Sequence, residues 1–356
     1  MNSKRLILTP LGESAQEKRG KTSLKNKINV IQYGCGPIGC SVAKLVLQRS
    51  YLTLIGAVDT AKDKVGKDLG ELAGQNRKIG VSISNDLGAV AGLNSADVVL
   101  HCTSSQLTRV FDQLQQIVET GCDVISTCEE LSFPFKKNPE LSNRINRIAL
   151  EHNVTILATG INPGFLMDAW PLFMSGVCQK VDLVKVARVQ DASLRRLPFQ
   201  KKIGAGCSVR EFQALVDGGR IRHVGIEESI GMIAGGMGWQ LDEVTEKIDP
   251  VIAEARASSQ YLTVEPGQVA GVRQMGYGSV EGKIQIILEF VAYLGARETY
   301  DEVCLYGIPD LRATVHGGIN GDIGTAATVV NSIPRVVHAN PGLLTVKDLP
   351  MAVCSS

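Results

Sequence analysis

The fold of this chain is decided by the stretch Ile28-Asn29-Val30-Ile31-Gln32-Tyr33-Gly34-Cys35-Gly36-Pro37-Ile38-Gly39. Its first six residues predict a buried strand, and a helix is expected over 38–49. The glycines follow the spacing G-x-G-x-x-G. Gly34 permits a tight turn, Gly36 lets backbone approach a pyrophosphate, and Gly39 allows close helix–strand packing. Pro37 and Ile38 open the helix, whose N-terminus attracts anions, so the stretch predicts a dinucleotide site.

An acidic residue follows this stretch at the distance that a dinucleotide site requires. Asp59 comes twenty residues after Gly39, at the end of a second predicted strand, Leu52–Val58. A carboxylate there binds the adenosine ribose and repels a 2′-phosphate. We therefore expect NAD or NADP as cofactor, with NAD favoured, although Lys62 and Lys64 lie close enough to soften that preference. The alternative is a glycine-rich turn beside an incidental surface aspartate.

The chain changes its rhythm near residue 165. Before that point, predicted strands at 96–102, 122–127 and 154–158 alternate with predicted helices at 107–119 and 139–152, which favours a Rossmann-type doubly wound parallel sheet. Beyond it we predict helices at 166–177, 208–217, 225–234 and 241–249, and strands at 181–189, 268–276, 283–292 and 302–306. Neighbouring strands without intervening helices indicate an α+β domain with a mostly antiparallel sheet. A last helix, 326–338, is expected to pack on the first domain.

These patterns divide the chain into three parts. We expect a flexible extension over 1–27, a dinucleotide-binding domain formed by 28–164 with 322–356, and a substrate and dimerisation domain over 165–321. The extension is basic but has no apolar core of a secretory signal, so organelle targeting stays an open alternative.

Composition excludes several classes of function. The formal net charge is +1, with 37 basic and 36 acidic residues, which gives no reason to expect a nucleic-acid partner. No apolar run reaches the roughly 18 residues of a membrane span. Nine scattered cysteines without a CxxC pair indicate free thiols and a cytoplasmic protein. The five histidines lack metal-binding spacing, so no metal is expected.

Three predicted strands end in polar residues. Ligands of such sheets bind outside the carboxyl ends of the strands. We therefore expect the ends after 102, 127 and 158 to surround the cofactor, with Asn162 bonded to the nicotinamide ribose or carboxamide. The further cofactor-binding residues expected there are Thr103, Ser104, Cys128 and Pro163.

Glu129 and Glu130 are the candidate catalytic residues. Successive side chains of extended backbone point in opposite directions, so we expect one of the two to face the cofactor. A carboxylate beside a nicotinamide suits amine chemistry, because it accepts a proton from an ammonium group and stabilises an iminium cation. The alternative is that both are solvated loop carboxylates.

For the other candidates a structural interpretation is favoured over a functional one. Arg195 and Arg196 are able to hold a substrate carboxylate, but exposed arginines are common. A substrate pocket is expected around the segment after the Asn-Pro-Gly turn, although core packing explains its apolar residues as well. The residues assigned to that pocket are Phe165, Leu166, Met167, Trp170 and Gln190.

Several motifs together resemble one enzyme family. The segments are Gly66–Gly74, Thr127-Cys128-Glu129-Glu130-Leu131, Ile161-Asn162-Pro163-Gly164-Phe165, and a tail running from Asn331 to Leu343. Over residues 28–350 the chain resembles 2,4-diaminopentanoate dehydrogenases and native amine dehydrogenases. These families are related to dihydrodipicolinate reductases, but the His-His pair of those reductases is missing here. Gly324-Thr325-Ala326 echoes their carboxylate loop only weakly.

The resemblance implies a reaction and an assembly. It implies that NAD(P)H reduces the imine formed from a ketone or aldehyde and ammonia, and that the reverse reaction deaminates an amine. It assigns the catalytic carboxylate to Glu129, with Glu130 in reserve, and implies a homodimer whose second domain closes over the nicotinamide. The alternatives are a 2,4-diaminopentanoate dehydrogenase proper, a carbonyl or homoserine-type dehydrogenase, which often carries lysine at this position, and a catalytically silent dinucleotide sensor.

Overall fold

The computed structural model describes residues 27–355, and the predicted extension lies outside them except for Lys27. The helices are α1 Pro37–Val46, α2 Leu69–Leu72, α3 Leu107–Glu119, α4 Pro139–Glu151, α5 Ala169–Ser175, α6 Leu197–Lys202, α7 Val209–Asp217, α8 Ile226–Met237 and α9 Gly321–Val336. The strands are β1 Ile28–Tyr33, β2 Leu52–Val58, β3 Ile83–Ser84, β4 Val98–His101, β5 Asp123–Ser126, β6 Thr155–Ala158, β7 Lys180–Asp191, β8 Glu243–Ile252, β9 Ala257–Ser258, β10 Thr263–Val264, β11 Val269–Val280, β12 Lys283–Tyr293, β13 Tyr300–Ile308, β14 Leu311–His316 and β15 Gly342–Leu344.

The first sheet contains seven parallel strands in the order β15-β6-β5-β4-β1-β2-β3. Helices connect its strands, as the alternating pattern predicts. In α3 the apolar residues recur at helical spacing and all of them are buried: Leu107, Val110, Phe111, Leu114, Ile117 and Val118. This stripe packs on the sheet and explains why the helix forms where its periodicity predicts. The Rossmann-type fold is confirmed.

Helix α9 returns to the first sheet, as predicted. Its buried Val329, Ile333 and Val336 belong to the same apolar cluster as Val42 and Val46 of α1. Helix α9 therefore packs against α1, near the start of the described residues. Strand β15 then adds the last parallel strand beside β6.

The second sheet contains six strands in the order β14-β13-β7-β12-β11-β8. Only β7 and β12 are parallel to each other among its pairs, so the mostly antiparallel character is confirmed. Ile226, Ile230 and Ile233 of α8 are fully buried in one cluster with Val184 and Leu288 of the sheet. This apolar core fixes one face of the sheet against the helix.

One predicted helix is wrong. The segment expected as a helix at 241–249 forms strand β8, which pairs with β11 from Glu243 to Ile252. Val244 and Ile248 are four residues apart, a spacing that shares one face in a helix and also in a strand. Pro250 is tolerated because β8 lies at the edge of the sheet.

Two further predictions concern the whole chain. All nine cysteines are free thiols, as their scattered spacing predicts. Within residues 27–355, each helix is too short or too polar to cross a bilayer.

Candidate cofactor and active site

The glycine-rich turn joins β1 to α1 and leaves open space at Gly36. A Cβ on Gly34 or Gly39 would collide with neighbouring backbone, and Gly34 has a φ of +87°, so both glycines serve the chain's own packing. A Cβ on Gly36 would meet no atom within 4 Å. Side chains do not cap the N-terminus of α1, so its amides are free for an anion. The turn therefore fits a dinucleotide pyrophosphate.

Asp59 lies at the end of β2 and is tied to this turn. Its carboxylate accepts hydrogen bonds of 2.8 Å from the backbone N–H of Cys35 and of Ala61, and it pairs with Lys64 at 2.8 Å. Burial alone would raise the pKa of Asp59, but the hydrogen bonds from Lys64, Ala61 and Cys35 hold it below its ordinary value. Asp59 is therefore ionised, and its hydrogen bond from the Cys35 N–H holds the glycine-rich turn in place.

A cavity of about 430 Å³ opens at the carboxyl ends of the first sheet, and Arg188 and Gln190 of β7 and Phe290 of β12 line it from the second sheet. The structure brings to it these predicted residues: Gly36, Pro37, Ile38, Thr103, Ser104, Cys128, Glu129, Asn162, Pro163 and Gln190. The cavity thus begins at the glycine-rich turn and continues past three strand ends, which is the path that an extended dinucleotide requires.

The two glutamates diverge at a short 3₁₀ turn, Glu129–Leu131, that follows β5. Glu129 lines the cavity. Glu130 is held outside it, because its carboxylate accepts from the backbone N–H of Leu107 at 2.9 Å and pairs with Lys137 at 3.0 Å. Burial raises the pKa of Glu129, although its own backbone N–H and the charge of Lys202 oppose that rise. Glu129 is therefore a weakly acidic carboxyl group that is reached from the cavity.

Asn162 and His223 meet across the two sheets. The Asn162 amide donates to His223 Nε2 at 2.8 Å, and the His223 ring stacks on Phe290 with centroids 4.5 Å apart. Burial lowers the pKa of His223 to about 3, so the ring is neutral and accepts this bond. The Asn162 Oδ1 atom is buried and has no hydrogen-bond partner among the described residues. It offers an acceptor where the nicotinamide ribose or carboxamide is expected.

Four cationic side chains line the cavity. Arg195 and Arg196 share the carboxylate of Asp322 at 3.0 and 3.1 Å. Arg188 is buried against Asp301 at 3.3 Å. Lys202 is the fourth, and its charge acts on both Glu129 and His223. Sequence reasoning identified the arginine pair only.

Arg188, Lys202 and His223 come from β7, from the end of α6 and from the loop before α8. Their approach to the cavity depends on how the second sheet is placed over the first, and local spacing does not encode that placement.

The predicted substrate-pocket residues are mostly placed elsewhere. Leu166 and Met167 are fully buried in the core of the second sheet. Phe165 and Trp170 line a separate cavity of about 270 Å³. The reason is a tight turn: Gly164 has a φ of +120°, and the Leu166 N–H donates back to the Ile161 carbonyl. Of the predicted set, Gln190 alone lines the main cavity.

Comparison with protein families places both parts of the chain. Residues 165–355 match the 2,4-diaminopentanoate dehydrogenase C-terminal domain, and residues 28–128 match the N-terminus of dihydrodipicolinate reductase. Within residues 27–355 no group of three His, Cys, Asp or Glu side chains is arranged to hold a metal.

Known relatives cover almost the whole length. The chain is 34% identical to a 2,4-diaminopentanoate dehydrogenase of Acetoanaerobium sticklandii, over 91% of this chain and 94% of the relative. It is 24% identical to an amine dehydrogenase of Streptomyces virginiae, over 91% and 96% of the two chains. The structure of an amine dehydrogenase from Mycobacterium smegmatis matches with a TM-score of 0.81 at 25% identity, covering 92% of this chain and 97% of that one. This chain therefore belongs to the 2,4-diaminopentanoate dehydrogenase family and is an NAD- or NADP-dependent oxidoreductase that acts on amine groups.

Proposed function

We propose that the enzyme deaminates an amine oxidatively and, in reverse, aminates a ketone or aldehyde with ammonia. The observation that carries this proposal is the separation of the two glutamates. Glu130 is bound by Lys137 and Leu107, whereas Glu129 faces the cavity that begins at the glycine-rich turn. A carbonyl or homoserine-type dehydrogenase often places a lysine here, and the carboxylate argues against that alternative.

Glu129 acts as the proton acceptor in this mechanism. It takes a proton from the substrate ammonium, and the freed nitrogen lone pair then forms the C=N bond as hydride leaves the carbon. The oxidised nicotinamide supplies the hydride acceptor when it is bound. Once Glu129 has passed this proton to solvent, its carboxylate stabilises the iminium cation, and water then converts the iminium to the carbonyl compound and an ammonium ion.

The cationic wall favours a substrate that carries a carboxylate. Four cations line the cavity with Glu129 and Asp322 as the acidic lining residues. Asp322 offsets part of the charge of Arg195 and Arg196, and Asp301 offsets that of Arg188. The attraction for the carboxylate of an amino acid therefore comes mainly from Lys202, which lines the cavity and forms no ion pair within residues 27–355. We therefore propose a diamino acid such as 2,4-diaminopentanoate, on which the named relative acts, with Lys202 as the anion-binding residue.

The reaction is tested by NADH and NADPH consumption with amino-keto acids, with and without ammonium. We expect turnover that requires ammonium and yields an amine. Turnover that proceeds equally well without ammonium would identify a carbonyl reductase, and cofactor binding without any turnover would favour the silent sensor.

The carboxylate preference is tested with 2,4-diaminopentanoate and its uncharged carboxamide. We expect Lys202→Met to raise KM for the carboxylate at least tenfold and to leave KM for the carboxamide within about threefold, since a charge-assisted hydrogen bond is lost. Lys201→Met is the matched control, because Lys201 is exposed on the same helix and does not line the cavity. Equal KM values for both compounds in the parent enzyme would contradict an anion subsite.

The assembly and domain division remain part of this proposal. The face of the second sheet opposite α8 carries partly accessible residues, among them Val189, Tyr277 and Ile287. We propose that two copies pack through this face as a homodimer and that 165–321 forms the substrate and dimerisation domain beside 28–164 with 322–356. The nine free thiols support a reducing, cytoplasmic location.

A further inference from the structure

The carboxylate of Asp59 is already occupied by the protein. Oδ2 accepts from the Cys35 N–H and from Lys64 Nζ, and Oδ1 accepts from the Ala61 N–H, each at 2.8 Å. A carboxylate offers about four acceptor positions, so about one is left for a ribose hydroxyl. Asp59 therefore differs from the free acid that the sequence pattern implies, because its charge is neutralised and its main contacts hold the glycine-rich turn.

The ammonium group of Lys64 lies at the same position and keeps hydrogen-bond donors that Asp59 does not use. Its side chain is 23% exposed, and its ammonium group has three donors, of which one is used on Asp59. Lys64 Nζ and the Cys35 N–H, which belongs to the turn, bond the same oxygen of Asp59, Oδ2, each at 2.8 Å. The ammonium therefore lies between the end of β2 and the glycine-rich turn, where the adenosine ribose of a dinucleotide is expected.

We propose that Lys64 is a cofactor-specificity residue that binds the 2′-phosphate of NADPH while it neutralises Asp59. A free carboxylate at this position would repel a phosphate, which is the basis for expecting NAD. With Lys64 paired to it, the site presents two spare ammonium donors and no net negative charge from the pair. The enzyme thus binds NADPH with an affinity comparable to that for NADH, which revises the preference expected from Asp59 alone.

The test is direct binding of NADH and NADPH to the full-length enzyme by fluorescence, without any amine or carbonyl substrate. In Lys64→Met, we expect NADPH to bind about 10- to 100-fold more weakly, the loss typical of a hydrogen bond to a charged group. NADH binding should change less than about threefold. Lys64→Arg should retain NADPH binding, and Lys62→Met, which removes an exposed neighbouring lysine, should leave both affinities unchanged.

Two results would overturn the proposal. The first is a parent enzyme that binds NADH more than about 100-fold tighter than NADPH. The second is an equal loss of both cofactors in Lys64→Met with unchanged thermal stability, which would reduce Lys64 to a support for the turn. Neither result depends on which amine is oxidised, so the outcome stands apart from the proposed reaction.

Discussion

Glu129→Gln is the substitution that separates chemistry from binding in this enzyme. The amide has the size of the carboxyl group, so the packing of the turn is kept. The lost property is the ability to accept a proton. A positioned general base contributes about 10²- to 10⁴-fold to a rate, which corresponds to about 3 to 5 kcal/mol of activation free energy.

The assay is the initial rate of NADH or NADPH formation from an amine at saturating substrate. We expect kcat to fall by about 10²- to 10⁴-fold, while the dissociation constant of the cofactor stays within about twofold. Because burial raises the pKa of Glu129 in the enzyme without substrate, kcat/KM of the parent enzyme, measured at varied amine concentration, should fall on the acid side with a midpoint above the ordinary value of 4.5. The base acts only when it is deprotonated, so this limb should disappear from the residual activity of the variant.

Glu130→Gln is the matched control for this experiment. Its carboxylate serves Lys137 and the N-terminus of α3, so we expect a lower unfolding midpoint and a smaller change in kcat. The reasoning is refuted if Glu129→Gln retains more than about a tenth of the parental kcat while Glu130→Gln loses most of it. That pattern would assign the proton acceptor to Glu130.

Two further predictions concern the cofactor turn and a buried acid. Gly36→Ala meets no steric obstacle, so we expect parental stability but at least tenfold weaker dinucleotide binding, whereas Gly34→Ala should lower the melting temperature because its φ is +87°. Glu228 is 2% exposed and burial raises its pKa from 4.5 to about 7, so the folded state keeps a proton that the unfolded state releases. As the pH rises from 4.5 to 7, the free energy of unfolding should therefore decrease by up to about 3 kcal/mol because of this group. Urea unfolding of Glu228→Gln should show a smaller decrease over the same pH range. An unchanged pH dependence in the variant would contradict it.

The sequence predicts the first sheet well because its signals are local. The strand Ile28–Tyr33, the glycine spacing and the apolar stripe of α3 each specify an element within a few residues. The strand ends then follow from the parallel topology, which explains why Asn162, Cys128 and Glu129, placed after strands by the sequence, all line the cavity. The prediction of these residues rests on one rule, that the carboxyl ends of parallel strands lie at the same edge of the sheet.

The second sheet was predicted less completely for the same physical reason. Strand β8 has an apolar spacing that fits two periods. Its true form is fixed by pairing with β11, whose partner residues lie from 17 (Val269 with Ile252) to 36 (Ser279 with Glu243) positions further along the chain. Phe165 and Trp170 follow the Asn-Pro-Gly turn directly, but a single positive-φ residue, Gly164, redirects the chain and buries the segment away from the cavity. The periodicity of apolar residues encodes neither the pairing of strands that are distant in sequence nor a change of chain direction at a single residue.

The two parts of the chain contribute different groups to the cavity, and together these groups explain how the fold is adapted to amine chemistry. The first sheet supplies the cofactor turn and the carboxylate of Glu129, which any dinucleotide enzyme of this topology could hold at a strand end. The chain after residue 165 supplies Arg188 of β7, Lys202 of α6 and, from the loop before α8, the His223 ring that accepts a hydrogen bond from the Asn162 amide. Because Lys202 acts on both Glu129 and His223, a substrate anion that binds Lys202 would weaken its opposition to the raised pKa of Glu129. The anion would thereby raise the pKa of Glu129, whereas the ammonium group of the same substrate would lower it, so the substrate acts on its proton acceptor through both of its charges.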